Sequence, residues 1–171
     1  MKSILSILLV VITMNGFAQT QYEVSGTGGR KILKGIINRD LLAKDTAFKW
    51  YQKQQEGYTP GTEIVSGIKS KAGEVQYLVF GGTWCGDTRF LLPKFFSLLD
   101  AAGVTDEHVT LVGVDYSKKA IGNLSETFNI QRVPTFIVLK DGKEIGRVVE
   151  YGISGQWDKE LNDIVSGSGK Q

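Results

Sequence analysis

A short apolar strand over residues 75–80 runs into Trp84-Cys85-Gly86-Asp87-Thr88, and a helical stretch over 88–101 follows at once. This strand–turn–helix unit constrains the chain most, because a strand that feeds a helix through a tight turn belongs to an α/β layer. The alternation continues downstream. Residues 109–114 read as a second buried strand, 124–128 as helix, and 135–139 as a third strand. Asp141-Gly142 is a hairpin signal leading into a fourth strand over 144–151, and 156–165 form a terminal helix with Trp157, Leu161 and Ile164 on one face. Strands joined by helices and closed by an antiparallel hairpin predict an α/β fold with a mixed central sheet flanked by helices.

Upstream, the organisation is different. Lys2, an apolar run over residues 4–12 broken only by Ser6, and small residues at Gly16 and Ala18 have the three parts of a secretory signal peptide. The expectation is cleavage after Ala18 and a periplasmic or secreted protein. The apolar run is shorter than the roughly 20 residues needed to span a bilayer, so no stable membrane anchor is expected. Residues 19–37, opening with the polar and Gly-rich QTQYEVSGTGGR, read as a linker. Residues 38–73 read as an N-terminal helical extension. In it Leu41, Leu42, Phe48 and Tyr51 recur at spacings of three and four behind an Asn38 or Asp40 cap, and a second short helix follows Thr62.

The chain holds one cysteine and one histidine. Cys85 therefore has no partner for an internal bridge, and with His108 in a polar turn no metal site is expected. No cofactor is expected either. The formal charge of +2 provides no ground for a nucleic-acid partner. A lone cysteine is commonly a core residue, but one at a strand-to-helix junction beside a loop is poorly placed for that. The free N–H groups and the positive end of the helix dipole there stabilise a thiolate. Gly86 allows the tight turn, and Trp84 would cover one side of the sulfur.

With Val133-Pro134-Thr135 opening a strand and Asp141-Gly142 after it, the Trp84-Cys85-Gly86 turn makes the chain resemble the thioredoxin family over roughly residues 74–166. The resemblance implies a thioredoxin-like fold, taken to cover 74–167. It also implies a cis Pro134 beside Cys85 and a Val133 backbone that pairs with a bound peptide as an added strand. The departures from the family narrow the chemistry. Its second cysteine is Thr88 here, its buried acid is Val79, and the lysine which that acid meets is Leu111. A self-resolving dithiol cycle is then unavailable. Asp87 would oppose a thiolate and Arg89 would favour one. Thr88 has two readings: a hydrogen-bond donor to the sulfur, or an ordinary residue of the helix start.

The leading expectation is a monothiol exchange protein. Cys85, assisted by Thr88 and tuned by Asp87 and Arg89, attacks disulfides of exported proteins or small thiols held against Trp84, Val133 and Pro134. The alternative is a redox-silent module that binds an extended peptide on the same surface. A covalent dimer through Cys85 ranks last.

Overall fold

A computed structural model of the protein describes residues 21–26 and 30–168. Residues 1–18, read above as a signal peptide, lie outside these. Among the described residues six strands form one sheet in the order β1-β2-β4-β3-β5-β6. They are β1 (Gln21–Ser25), β2 (Ile32–Ile37), β3 (Gln76–Gly81), β4 (Val109–Gly113), β5 (Thr135–Lys140) and β6 (Lys143–Val149). Only β3 and β4 run parallel; every other neighbouring pair is antiparallel. The mixed sheet expected from the alternating pattern is therefore present, and Asp141 and Gly142 both take positive φ at the β5–β6 turn, as a two-residue hairpin requires.

The linker reading of residues 19–37 is overturned by β1 and β2. The polar, Gly-rich start of that segment hid a strand pair whose inner member carries the apolar side chains. In β2, Ile32, Leu33 and Ile37 are buried, whereas β1 is an edge strand with four of its five residues exposed. An edge strand needs only one covered neighbour and little apolar content, so composition did not mark it. Gly35 of β2 lies opposite Gly113 of β4. A Cβ on Gly113 would run into the Leu33 carbonyl, and Gly35 has φ 127°. Gly113 thus lets β2 approach β4 closely, while Gly35 makes room for β1, since a Cβ there would meet the Gln21 carbonyl.

Residues 38–73 are helical as expected, in shorter pieces: α1 (Arg39–Lys44), a 3₁₀ turn (Thr46–Phe48), α2 (Trp50–Gln55) and α3 (Thr62–Lys69). The Asn38 side chain caps α1 by accepting the Leu41 N–H. This segment is no appendage. Leu42, Phe48, Tyr51 and Ile68 are fully buried in the main core with Leu91, Phe95 and Phe96 of α4 (Gly86–Ala102) and with Trp157 and Leu161 of α6 (Trp157–Ser166). Phe136 stacks between Phe95 and Trp157 at centroid distances of 4.8 and 5.8 Å.

Strand β3 is buried on both faces, which explains its uninterrupted apolar run. Tyr77 and Val79 face the main core, while Leu78 and Phe80 face a second cluster. That cluster contains Val112, Val114, Ile130, Val133 and Ile137, with Leu124 of the short α5 (Leu124–Thr127) packed against it. The sheet is thus covered on both sides, and β3 delivers the chain to the Cys85 turn from the middle of the molecule.

Candidate functional site

Cys85 is the N-cap of the 17-residue helix α4, in extended conformation with φ −80° and ψ 132°. Its N–H donates to the Gly82 carbonyl at 2.9 Å, which closes the turn from β3, and its own carbonyl receives the Arg89 N–H at 3.1 Å as the first helical bond. The first N–H groups of a helix have no partner within it, so the sulfur stands where the positive end of the dipole is strongest. Cys85 is half-buried and free. The Val133–Pro134 peptide is cis, and Cys85 Sγ donates to the Val133 carbonyl across 3.3 Å. The two turns expected to meet, 48 residues apart in the chain, do meet. The Val133 N–H makes no hydrogen bond within the described residues, whereas the Pro134 carbonyl is taken by the Glu150 N–H at 2.7 Å.

The Trp84 indole reaches the end of β4. Its Nε1 donates to the Val114 carbonyl at 3.0 Å, and its ring lies 5.0 Å from that of Tyr116. Gly82 makes room for it, since a Cβ there would meet the indole at 2.7 Å. Thr88 is fully buried, and its hydroxyl accepts the Gly82 N–H at 3.2 Å. No hydrogen bond joins it to Cys85. Of its two readings, the structure therefore supports the structural one: Thr88 satisfies a buried backbone donor within the turn. Arg89, expected to favour the thiolate, instead donates from Nε to the Thr83 carbonyl at 2.7 Å. Asp87 Oδ1 accepts the Tyr151 hydroxyl at 3.1 Å.

Thr83 and Tyr151 escaped the sequence reading. Thr83 is buried and ties the turn to the start of β2, donating to the Lys31 carbonyl at 2.9 Å and accepting the Leu33 N–H at 3.3 Å. Its adjacency to Trp84-Cys85 was the available signal. Tyr151 lies 64 residues from Asp87, and no local pattern announces it. It packs against the exposed Phe90 of α4, Tyr116 packs against Trp84, and Ile153 follows two residues on as another exposed apolar side chain. Ile153 is fully solvent-exposed and Tyr116 is 52% exposed.

Val79 and Leu111, in the positions of the missing acid and lysine, are register partners across β3 and β4, both buried. Among the described residues no cluster of three or more His, Cys, Asp or Glu side chains could hold a metal ion. A cleft of about 450 Å³ between Ile37, Arg39, Phe96 and Asp106 sits at the Val109 end of β4. That is the far end of the strand from the turn, so the cleft plays no part in chemistry at the sulfur. Attack on a disulfide needs an approachable sulfur on an open surface, which the half-buried Cys85 offers.

The thioredoxin family model matches residues 63–163, so the match starts in α3, inside the segment read as an extension. Thioredoxin H2-2 of Oryza sativa subsp. japonica is 28% identical over 100 residues, covering 58% of this chain and 69% of the relative. A TPR repeat-containing thioredoxin of Arabidopsis thaliana is 34% identical over 91 residues, 53% of this chain but only 22% of that protein. The crystal structure of a protein of unknown function from Pseudomonas aeruginosa superposes with a TM-score of 0.54 at 15% identity, covering 80% of this chain and 94% of that one. That likeness is one of fold alone.

Proposed function

This chain belongs to the thioredoxin family, and we propose that it is a monothiol thiol–disulfide exchange protein acting through Cys85. The observation that carries the reading is the half-buried free sulfur at the start of α4, 3.3 Å from the carbonyl before a cis proline. In the proposed cycle the Cys85 thiol loses its proton to solvent, and the thiolate attacks one sulfur of a substrate disulfide. A Cys85–substrate disulfide forms, the substrate's S–S bond breaks, and the departing thiolate takes a proton from solvent. An external thiol then attacks the mixed disulfide as its thiolate, releasing Cys85 as thiolate and leaving a rearranged disulfide. The cycle moves disulfides without net oxidation or reduction.

With one cysteine in the chain, resolution must come from outside. The apolar pair Val79–Leu111 fits this, because no resolving thiol is present for a buried acid to serve. The free Val133 N–H supports the docking of an extended peptide, as an added strand beside the sulfur. The N-terminal pattern of Lys2, the apolar run and Ala18 supports exported proteins or small thiols of that compartment as substrates.

The test is direct capture. The purified protein is mixed with a disulfide-linked peptide, quenched in acid and mapped by mass spectrometry. The expected result is an adduct on Cys85 that an added small thiol releases, with none on Cys85→Ser. A Cys85 that takes up no peptide while the peptide still binds noncovalently would establish the second reading, a redox-silent peptide-binding module. The observation favouring that alternative is the same apolar Val79–Leu111 pair.

A further inference from the structure

Asp87 is the anionic side chain nearest in sequence to Cys85, two residues into α4, and it does not stand alone. The Tyr151 hydroxyl donates to its Oδ1 at 3.1 Å, and the Tyr151 ring packs at 6.1 Å against that of Phe90, one turn along the same helix. Lys94 sits over the outer face of Phe90 at 3.2 Å from the ring centre. Tyr151 is in turn held by its own loop. Glu160 of α6 receives the Ile153 N–H at 3.0 Å and both the N–H and hydroxyl of Ser154 at 2.6 Å. Gly152 takes φ 80°, with no space for a side chain against the Glu160 carboxylate. Helix α6 therefore fixes the loop, and the loop presents a phenol to the carboxylate beside the sulfur.

Burial, followed by the hydrogen bond and charge of Asp87, pushes the Tyr151 phenol up from its ordinary range, so it remains a protonated donor at neutral pH. Other charged side chains around the turn are held by contacts of their own. Arg89 is on the Thr83 carbonyl, Glu150 pairs with Arg132 at 3.2 Å, and Asp115 on the far side pairs with Lys34 at 3.2 Å. Asp87 is thus the carboxylate whose position relative to Cys85 depends on one neutral donor.

We propose that Tyr151 is a positioning residue for the Cys85 chemistry: its hydroxyl holds the Asp87 carboxylate to the β6–α6 side and so limits how strongly that charge opposes the thiolate. The proposal rests on Cys85 being the reacting group, as argued above. Its test is separate from substrate exchange, because iodoacetamide reads the thiolate alone.

Alkylation of Cys85 is timed at neutral and at strongly alkaline pH in the full-length protein, in Tyr151→Phe, in Asp87→Asn and in the double variant. Tyr151→Phe should lower the neutral-to-alkaline rate ratio by about threefold, the scale of a partly exposed charge interaction. Asp87→Asn should raise the ratio. In the Asp87→Asn background, Tyr151→Phe should then change nothing, since there is no charge left to hold. An unchanged ratio in Tyr151→Phe, or the same fall in both backgrounds, would overturn the proposal. Asp87→Asn, at a half-buried position in the first turn of α4, gives an independent reading should Tyr151→Phe disturb the loop. If the ratios behave as expected and no peptide adduct forms, the exchange function fails while the Tyr151–Asp87 coupling stands.

Discussion

Val79 of β3 lies directly across from Leu111 of β4, the two side chains fully buried in register. On its other flank Val79 faces Phe136 of β5. Val79, Leu111 and Phe136 therefore form an apolar layer with no acid or base among them.

Restoring the acid should show how closed that layer is. Val79→Asp places a carboxylate among Leu111 and Phe136 with no cation, and an uncompensated buried charge costs about 3–5 kcal/mol. Urea unfolding should show that loss, and Leu111→Lys in the same background should recover part of it. A cost below about 1 kcal/mol would mean that water reaches the site.

Thr88→Val separates structural from chemical roles at the helix start. The variant keeps the side-chain shape but leaves the buried Gly82 N–H without its acceptor, a loss of about 1–3 kcal/mol. Iodoacetamide labelling of Cys85 in the folded variant should proceed at the parent rate. A marked change in that rate would instead place the hydroxyl on the sulfur.

Gly113→Ala should weaken the seating of β2, because the added methyl meets the Leu33 carbonyl, which belongs to a backbone already paired in the sheet. Overpacking of this kind costs about 1–3 kcal/mol. Hydrogen exchange should report the effect first in Ile36 and Ile37, with β5 and β6 less affected.

Acid should loosen the Tyr151 loop before the whole fold. Partial burial works to raise the Glu160 carboxyl, but the Ser154 hydroxyl and the Ser154 and Ile153 N–H donors outweigh it and hold it below the usual range. A depressed carboxyl contributes stability that is complete above its unfolded value, about 4.3, and is lost as pH falls through the lower folded value. The Ile153 and Ser154 amides should lose protection in that window. Glu160→Gln should show no such pH step.

Ile153 has no packing partner to lose. Ile153→Ser should alter stability by less than about 0.5 kcal/mol. If the exposed apolar side chains near Tyr151 receive polypeptide substrates, the same change should slow capture of an apolar disulfide peptide and leave reaction with a small disulfide untouched. Equal slowing of both would remove Ile153 from the docking surface.

The order of strands and helices from residue 75 onward was legible because each element has its own local signature. Apolar runs mark β3 and β4, Asp141-Gly142 marks the β5–β6 turn, and Trp157 with Leu161 marks the inner face of α6. The candidate nucleophile was legible for the same reason: a cysteine between a strand and a helix is a local pattern. The partnership of Cys85 with Val133 was accessible only through resemblance to a family, since neither residue's neighbourhood refers to the other. The β1–β2 pair was misread because an edge strand carries almost no apolar signal, and its inner partner adjoins a Gly-rich stretch.

The Cys85 turn itself was thus determined by sequence alone: one thiol, no resolving partner at Thr88, and no acid at Val79. Tertiary structure decided how its neighbours are used. Thr88 turned inward to Gly82, Arg89 to Thr83, and Asp87 outward to a tyrosine 64 residues away. The physical reason is that hydrogen bonds are assigned by whichever donors and acceptors folding brings within about 3 Å. A side chain's type states what it can offer, but its partner depends on which distant segment the sheet carries to it.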